Sequence, residues 1–125
     1  MKQLVKSYEI QAKRVKVFEA LTEPLYIKQW SGDEAVMDPR SGGLFSLWSG
    51  SIHGENSEVS ADRIVQKWKE KDWDNYSEVV FILNEKNGVT HLRMVHTLIP
   101  NSAFDALDEG WDRYFLGPLK SFLES

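Results

Sequence analysis

"NSAFDALDEGWDRYFLGPLKSFLES", residues 101–125, spaces its large apolar side chains three or four apart: Phe104, Leu107, Trp111, Phe115, Leu119 and Phe122. That period places them on one broad face of an amphipathic helix. Ser102 and Asp105 stand at its start as a capping pair. Gly117-Pro118 in its interior predicts a bend, because proline lacks an amide donor and crowds the preceding turn. A long one-sided helix must lay its apolar face on another element, and the rest of the chain decides which.

From Glu34 to Ile99 the period falls to two, in several runs separated by "DPRSGG", "SGS", "SAD", "WDN" and "EKNG". About six strands are expected there. Asn87-Gly88 is the strongest hairpin signal, since both residues tolerate positive φ, and the sheet is therefore expected to be mostly antiparallel. Ahead of it, "QLVKSYEI" sets Leu4, Lys6 and Tyr8 against Val5, Ser7 and Glu9, an opening strand. "AKRVKVFEALTEPLYIKQW" then carries Val15, Phe18 and Leu21 at helical spacing, and Pro24 ends one short helix and begins a second. The expected class is α+β, one domain over residues 1–125: a curved antiparallel sheet of about six or seven strands wrapped around a long C-terminal helix, with two short helices after the first strand. In "RSGGLFSLWSGSIHGENSEV", residues 40–59, Gly42, Gly43, Gly50 and Gly54 are placed to relieve crowding where strands bend, with a plain turn the competing reading for Gly50.

Composition narrows the function classes. The formal net charge is −4, with Lys and Arg scattered among Asp and Glu, which argues against nucleic acid as the main partner. There is no cysteine, so disulfides and thiolate chemistry are excluded. No window approaches the roughly 20 apolar residues of a membrane span, and the N-terminus lacks a signal-peptide core, so a cytoplasmic protein is expected. Five Trp, six Phe and four Tyr are many for 125 residues, and such rings either fill a core or line a pocket.

"THLRMVHTLIP", residues 90–100, puts Leu92, Met94, His96 and Leu98 on one strand face, so His96 is expected among apolar neighbours, pointing toward the terminal helix. It reads either as an imidazole that hydrogen-bonds a ligand or as a core histidine satisfied by backbone or a tyrosine hydroxyl. Trp30, Trp68, Phe81 and Trp111 come from four separate elements, and with Met94 and Phe115 they are the candidate cavity walls. "KWKEKDW" sets Lys67, Lys69 and Lys71 on one face and Trp68, Glu70 and Asp72 on the other; the lysine row is a candidate partner surface or a solvated face. An outward-facing Trp48 would join that surface. The three histidines never occur at H-x-x-x-H spacing and "WSGS" lacks the nucleophile-elbow pattern, so no catalytic residue, metal or cofactor is expected.

Four ordered pieces, "FEALTEPLYIKQW", "GGLFSLWSGSIHGE", "ADRIVQKWKEKDW" and "EGWDRYFLGPLKSFLE", resemble the C-terminal domain of the activator of the heat-shock-protein-90 ATPase, a family of the START-like, or birch-pollen-allergen-like, superfamily. The resemblance runs from about Tyr8 to Glu124. It implies a helix-grip fold whose sheet and terminal helix enclose a cavity that relatives use for apolar molecules, and a family pattern of a strand histidine that matches His96. In the eukaryotic co-chaperones of this family, a separate N-terminal domain with an Asn- and Trp-rich motif does much of the chaperone stimulation, and these residues hold no such motif. Three functions are compatible: a non-enzymatic binder of a hydrophobic small molecule, a stress-related co-chaperone-like protein that contacts the 90-kDa chaperone through its surface, and a cyclase- or hydrolase-like enzyme.

Overall fold

Every change of hydrophobic period along the chain coincides with a change of element in the computed structural model, which describes residues 1–125. Strand β1 (Lys2–Ile10) is followed by α1 (Arg14–Thr22) and α2 (Pro24–Ser31). Glu23 closes one helix and opens the other, and Pro24 sits in the first turn of α2, where a missing amide hydrogen leaves no bond unmade. Six strands follow: β2 (Val36–Met37), β3 (Leu44–Leu47), β4 (Ile52–Ser60), β5 (Arg63–Glu70), β6 (Ser77–Lys86) and β7 (Val89–Ile99). Together with β1 they make one antiparallel sheet in the order β1-β7-β6-β5-β4-β3-β2. The β6–β7 hairpin turns on Asn87 and Gly88, at φ 54° and 78°, with Lys86 paired to Val89, as the Asn-Gly signal predicts.

The terminal helix lies on the sheet's inner face. It consists of α3 (Phe104–Gly110), a π-helical stretch (Trp111–Leu116) and α4 (Gly117–Glu124). Instead of a simple kink at Gly117-Pro118, the turn before the proline is widened: the Gly117 amide donates to the Asp112 carbonyl, five residues back. An α-helical Pro118 would drive its ring into the carbonyl of the preceding turn, and the wide turn avoids that. The extra residue also brings both Phe115 and Leu116 inward, alongside Trp111 and Leu119. These four are part of one core cluster with Ile64, Trp68, Phe81, Leu83, Leu92 and Met94 of the sheet. Burying side chains of this size contributes roughly 1.5–3 kcal/mol each.

Polar contacts fasten the helix to β1. Lys6 reaches Asp108 at 2.5 Å and Asp112 at 2.9 Å, and the Tyr8 hydroxyl donates to Asp112 at 2.6 Å. Those two partners, Tyr8 first and Lys6 second, hold the Asp112 carboxyl below the usual carboxylate range. Further along, Lys120 donates to the Glu9 carbonyl and Glu124 accepts from the Gln11 amide.

Several expectations need correction. Leu98 does not share the inner face of β7: it adopts φ 59° at a bulge against β1, which turns it outward and brings Ile99 inside. Ser102 and Asp105 make no capping bond; a 3₁₀ turn over Asn101–Ala103 leads into the helix instead. Gly42 and Gly50 occupy turns at positive φ, so only Gly43 and Gly54 relieve crowding. At Gly54 a Cβ would run into the Lys67 carbonyl of the paired strand, which is how β4 and β5 come close enough to curl.

Candidate functional site

Strand alternation sends Ile64, Gln66, Trp68 and Glu70 of β5 to the inner face, beneath the terminal helix. Trp68 stacks on Trp111 of that helix, with ring centroids 4.9 Å apart and planes 20° from parallel. Two polar chains run from this pair into the core. In the first, the Trp111 indole N–H donates to His96 Nδ1 at 3.0 Å, which leaves the ring proton on Nε2; that N–H donates to Ser77 Oγ at 2.7 Å, and the Ser77 hydroxyl donates to the Trp68 carbonyl at 3.0 Å. In the second, the Trp68 indole N–H donates to Gln66 Oε1 at 2.9 Å, Gln66 Nε2 donates to Asn56 Oδ1 at 3.0 Å, and Asn56 Nδ2 donates to the Asp38 carbonyl at 2.8 Å. No buried side-chain nitrogen or oxygen is left without a partner.

His96 is fully buried, and burial pushes its imidazole down to about 3, so it is neutral at physiological pH. Its satisfaction comes from Ser77 and Trp111 rather than from backbone or tyrosine. Both ring nitrogens are engaged within the protein.

Above the Trp68–Trp111 pair a cavity of about 340 Å³ opens between sheet and helix, within the range of roughly 300–1,000 Å³ common for small-molecule sites. Trp48, Ile52 and Trp68 form its sheet side, and Ala106, Leu107, Gly110, Trp111, Tyr114 and Phe115 its helix side; Ser51 and Glu70 complete the lining. Of the residues expected from sequence as cavity walls, Trp68, Trp111 and Phe115 meet in this lining, and Trp48, expected on the outer surface, joins them. His96, Met94, Phe81 and Trp30 do not reach it. Phe81 packs against Phe115 at 5.7 Å, Trp30 against the same ring at 4.6 Å while donating its N–H to the Ala20 carbonyl, and Met94 is fully buried in the core.

Trp48 does not project from the surface. It and Ser49 adopt φ 49° and 55°, a left-handed turn between β3 and β4 that brings the indole back to lie edge-on to Phe115 at 6.1 Å. The lysine row is shorter than the sequence suggests, because β5 ends at Glu70 and Lys71 falls in the following turn. Lys67 faces solvent near Glu55, and the Lys69 ammonium lies over the Tyr76 ring.

Glu70 and Tyr114 are lining residues that sequence reasoning passed over. The period-two pattern already placed Glu70 beside Trp68, but a charged residue on an inner face reads as the end of a strand rather than as part of a wall. Tyr114 lies at the edge of the helix's apolar face, three residues beyond Trp111 and seven beyond Leu107, and reaches the cavity from the widened turn.

Comparison with known proteins accords with this architecture. An activator of 90 kDa heat shock protein ATPase homolog from Dictyostelium discoideum is 28% identical over 117 residues, 90% of this chain and 30% of that protein, so the chain spans about a third of the length of such curated relatives. The crystal structure of an HSP90 activator from Plasmodium falciparum superposes with a TM-score of 0.92 at 31% identity, covering 98% of this chain and 96% of that one. CalU16 from Micromonospora echinospora gives 0.84 at 25% identity, over 97% of this chain and 75% of that one. The family described as Activator of Hsp90 ATPase homolog 1-like protein matches residues 11–124, and to that family this chain belongs.

Proposed function

We propose that this chain is a non-enzymatic binding protein that holds a hydrophobic small molecule between its sheet and its terminal helix. The observation that carries the reading is the aromatic cavity itself: eight of its eleven lining residues are hydrophobic, and the polar groups behind it are all occupied. Such a wall gains most from a largely apolar occupant, because the buried polar groups behind it are already paired inside the protein. The test is a thermal-shift and tryptophan-fluorescence screen with aromatic metabolites, sterols and fatty acids, since a ligand of the native state raises the melting temperature. Ala106 lines the cavity from an exposed helix position, so Ala106→Trp fills the space without touching the core. Hits that weaken by about tenfold or more in Ala106→Trp, with the variant still folded, support the reading; a screen without hits removes it.

Family membership supports a second reading, contact with a 90-kDa heat-shock chaperone through the outer surface. The relevant observation is that the structure of the Plasmodium HSP90 activator matches over 98% of this chain and 96% of that one. Lys67, Lys69 and Lys71 are the candidate contacts. Charge reversal at all three should weaken co-purification with the chaperone and leave small-molecule binding intact; unchanged co-purification would remove the lysines from that surface.

A further inference from the structure

Glu70 is the one charged side chain in the cavity lining, and it has no partner. It stands last in the inner row Ile64, Gln66, Trp68, Glu70, opposite Ile52 of β4, where the cavity meets solvent. The chain's ion pairs and side-chain hydrogen bonds engage Lys6, Lys16, Lys28, Arg40, Arg63, Lys67, Arg113 and Lys120 with other acids, and none reaches the Glu70 carboxylate. No lysine, arginine or histidine contributes to the lining. The same cavity is lined by the rings of Trp48, Trp68, Trp111, Tyr114 and Phe115.

An aromatic enclosure with a single unpaired carboxylate is the arrangement that favours a cation: aromatic faces carry negative potential, and the carboxylate supplies a full charge at the mouth. We propose that the cavity selects organic cations, an amine or ammonium group attached to a flat apolar body, with the ring system between Trp48 and Trp111 and the nitrogen at Glu70. This rests on the cavity reading above and names the class of ligand within it. The same geometry disfavours fatty acids and other carboxylates, whose charge would meet Glu70 with no base to compensate. Burial, followed by the nearby charge of Asp72, pushes the Glu70 carboxyl up, which marks a site where an arriving cation relieves an existing electrostatic cost.

Three probes that share one ring system test the proposal: 2-naphthylmethylamine, 2-naphthylmethanol and 2-naphthoic acid, titrated at neutral pH and low salt with tryptophan fluorescence as readout. The expected order is amine, then alcohol, then acid, with the amine ahead of the acid by about tenfold or more, the scale of one partly screened charge pair. In Glu70→Gln the amine-to-acid ratio should fall toward one, and in Glu70→Lys it should invert. Equal affinities, or an acid that binds best, overturn the cation proposal while leaving the apolar cavity in place. Failure of all three to bind, together with a negative wider screen, overturns the cavity reading and this proposal with it. Should either variant fail to fold, the order of the three probes on the unmodified protein decides alone.

Discussion

His96 illustrates how one buried residue governs a measurable property of the whole chain. Its ring accepts from Trp111 and donates to Ser77, so the neutral form is the one the core is built around, and protonation would place a donor against a donor. Burial lowers its pKa from 6.5 to about 3 in the folded protein. Because the folded value is the depressed one, the stabilisation is fully present above the unfolded value of 6.5 and is lost progressively as pH falls toward 3. In that window the unfolded chain binds one more proton at this site than the native chain, a slope approaching about 1.4 kcal/mol per pH unit. Urea denaturation between pH 6.5 and about 5, above the range where most carboxylates titrate, isolates the effect. His96→Gln keeps a donor and an acceptor but no titratable group, so its stability should change less steeply over that interval than that of the unmodified protein. Identical slopes would mean that His96 is not a buried neutral ring. The position of this residue was legible from strand alternation, whereas its partners were not: Ser77 lies at the start of β6 and Trp111 on the distant helix, and no spacing rule links them to residue 96.

At the scale of elements, alternation and helical period read the strands and helices well and failed where the backbone departs from them. Trp48, Ser49 and Leu98 occupy left-handed conformations without being glycine, and nothing in their side chains advertises it. Two consequences follow directly, the inward Trp48 and the outward Leu98. The terminal helix is the third case. Gly117-Pro118 announced an irregularity, but the resolution is a wide turn rather than a bend, and it is the reason Leu116 is buried although it falls off the apolar face of an ideal helix. Gly117 is indispensable to that turn, since a Cβ there would press into the Asp112 carbonyl that its own amide hydrogen-bonds. In an ordinary exposed helix, glycine to alanine stabilises by roughly 0.5–1 kcal/mol. Here Gly117→Ala should destabilise by about 2 kcal/mol, because the clash is with backbone and the neighbouring turn is pinned by Lys6 and Tyr8 at Asp112. The sign of the change in a chemical denaturation experiment separates a wide turn from a regular helix.

For the molecule as a whole, the grip of sheet on helix followed from two apolar faces that had no other cover, and it was readable before any coordinates. The cavity was not, because whether rings of Trp48, Trp68, Trp111 and Phe115 fill a space or frame one depends on their summed placement to within the width of a methyl group. The same architecture ties the two ends of the chain to each other. Strand β1 pairs with β7 across the chain, and the terminal helix returns to β1 through Lys6, Tyr8 and Glu9 and to Gln11 just beyond it, all more than 100 residues away in sequence from their helix partners. Ending the chain at Ala103 removes the helix and uncovers Trp68, Phe81, Met94 and His96 together, and it strips His96 of one of its two hydrogen bonds. Helices α1 and α2 remain, but the apolar surface that the terminal helix covered is left without a second layer. The shortened chain should therefore lose its cooperative thermal transition and bind a hydrophobic dye such as ANS, rather than persist as a slightly less stable sheet. A sharp melting transition in the shortened chain would show that the sheet and the two short helices form a self-sufficient core, and that the terminal helix closes the cavity without holding the fold.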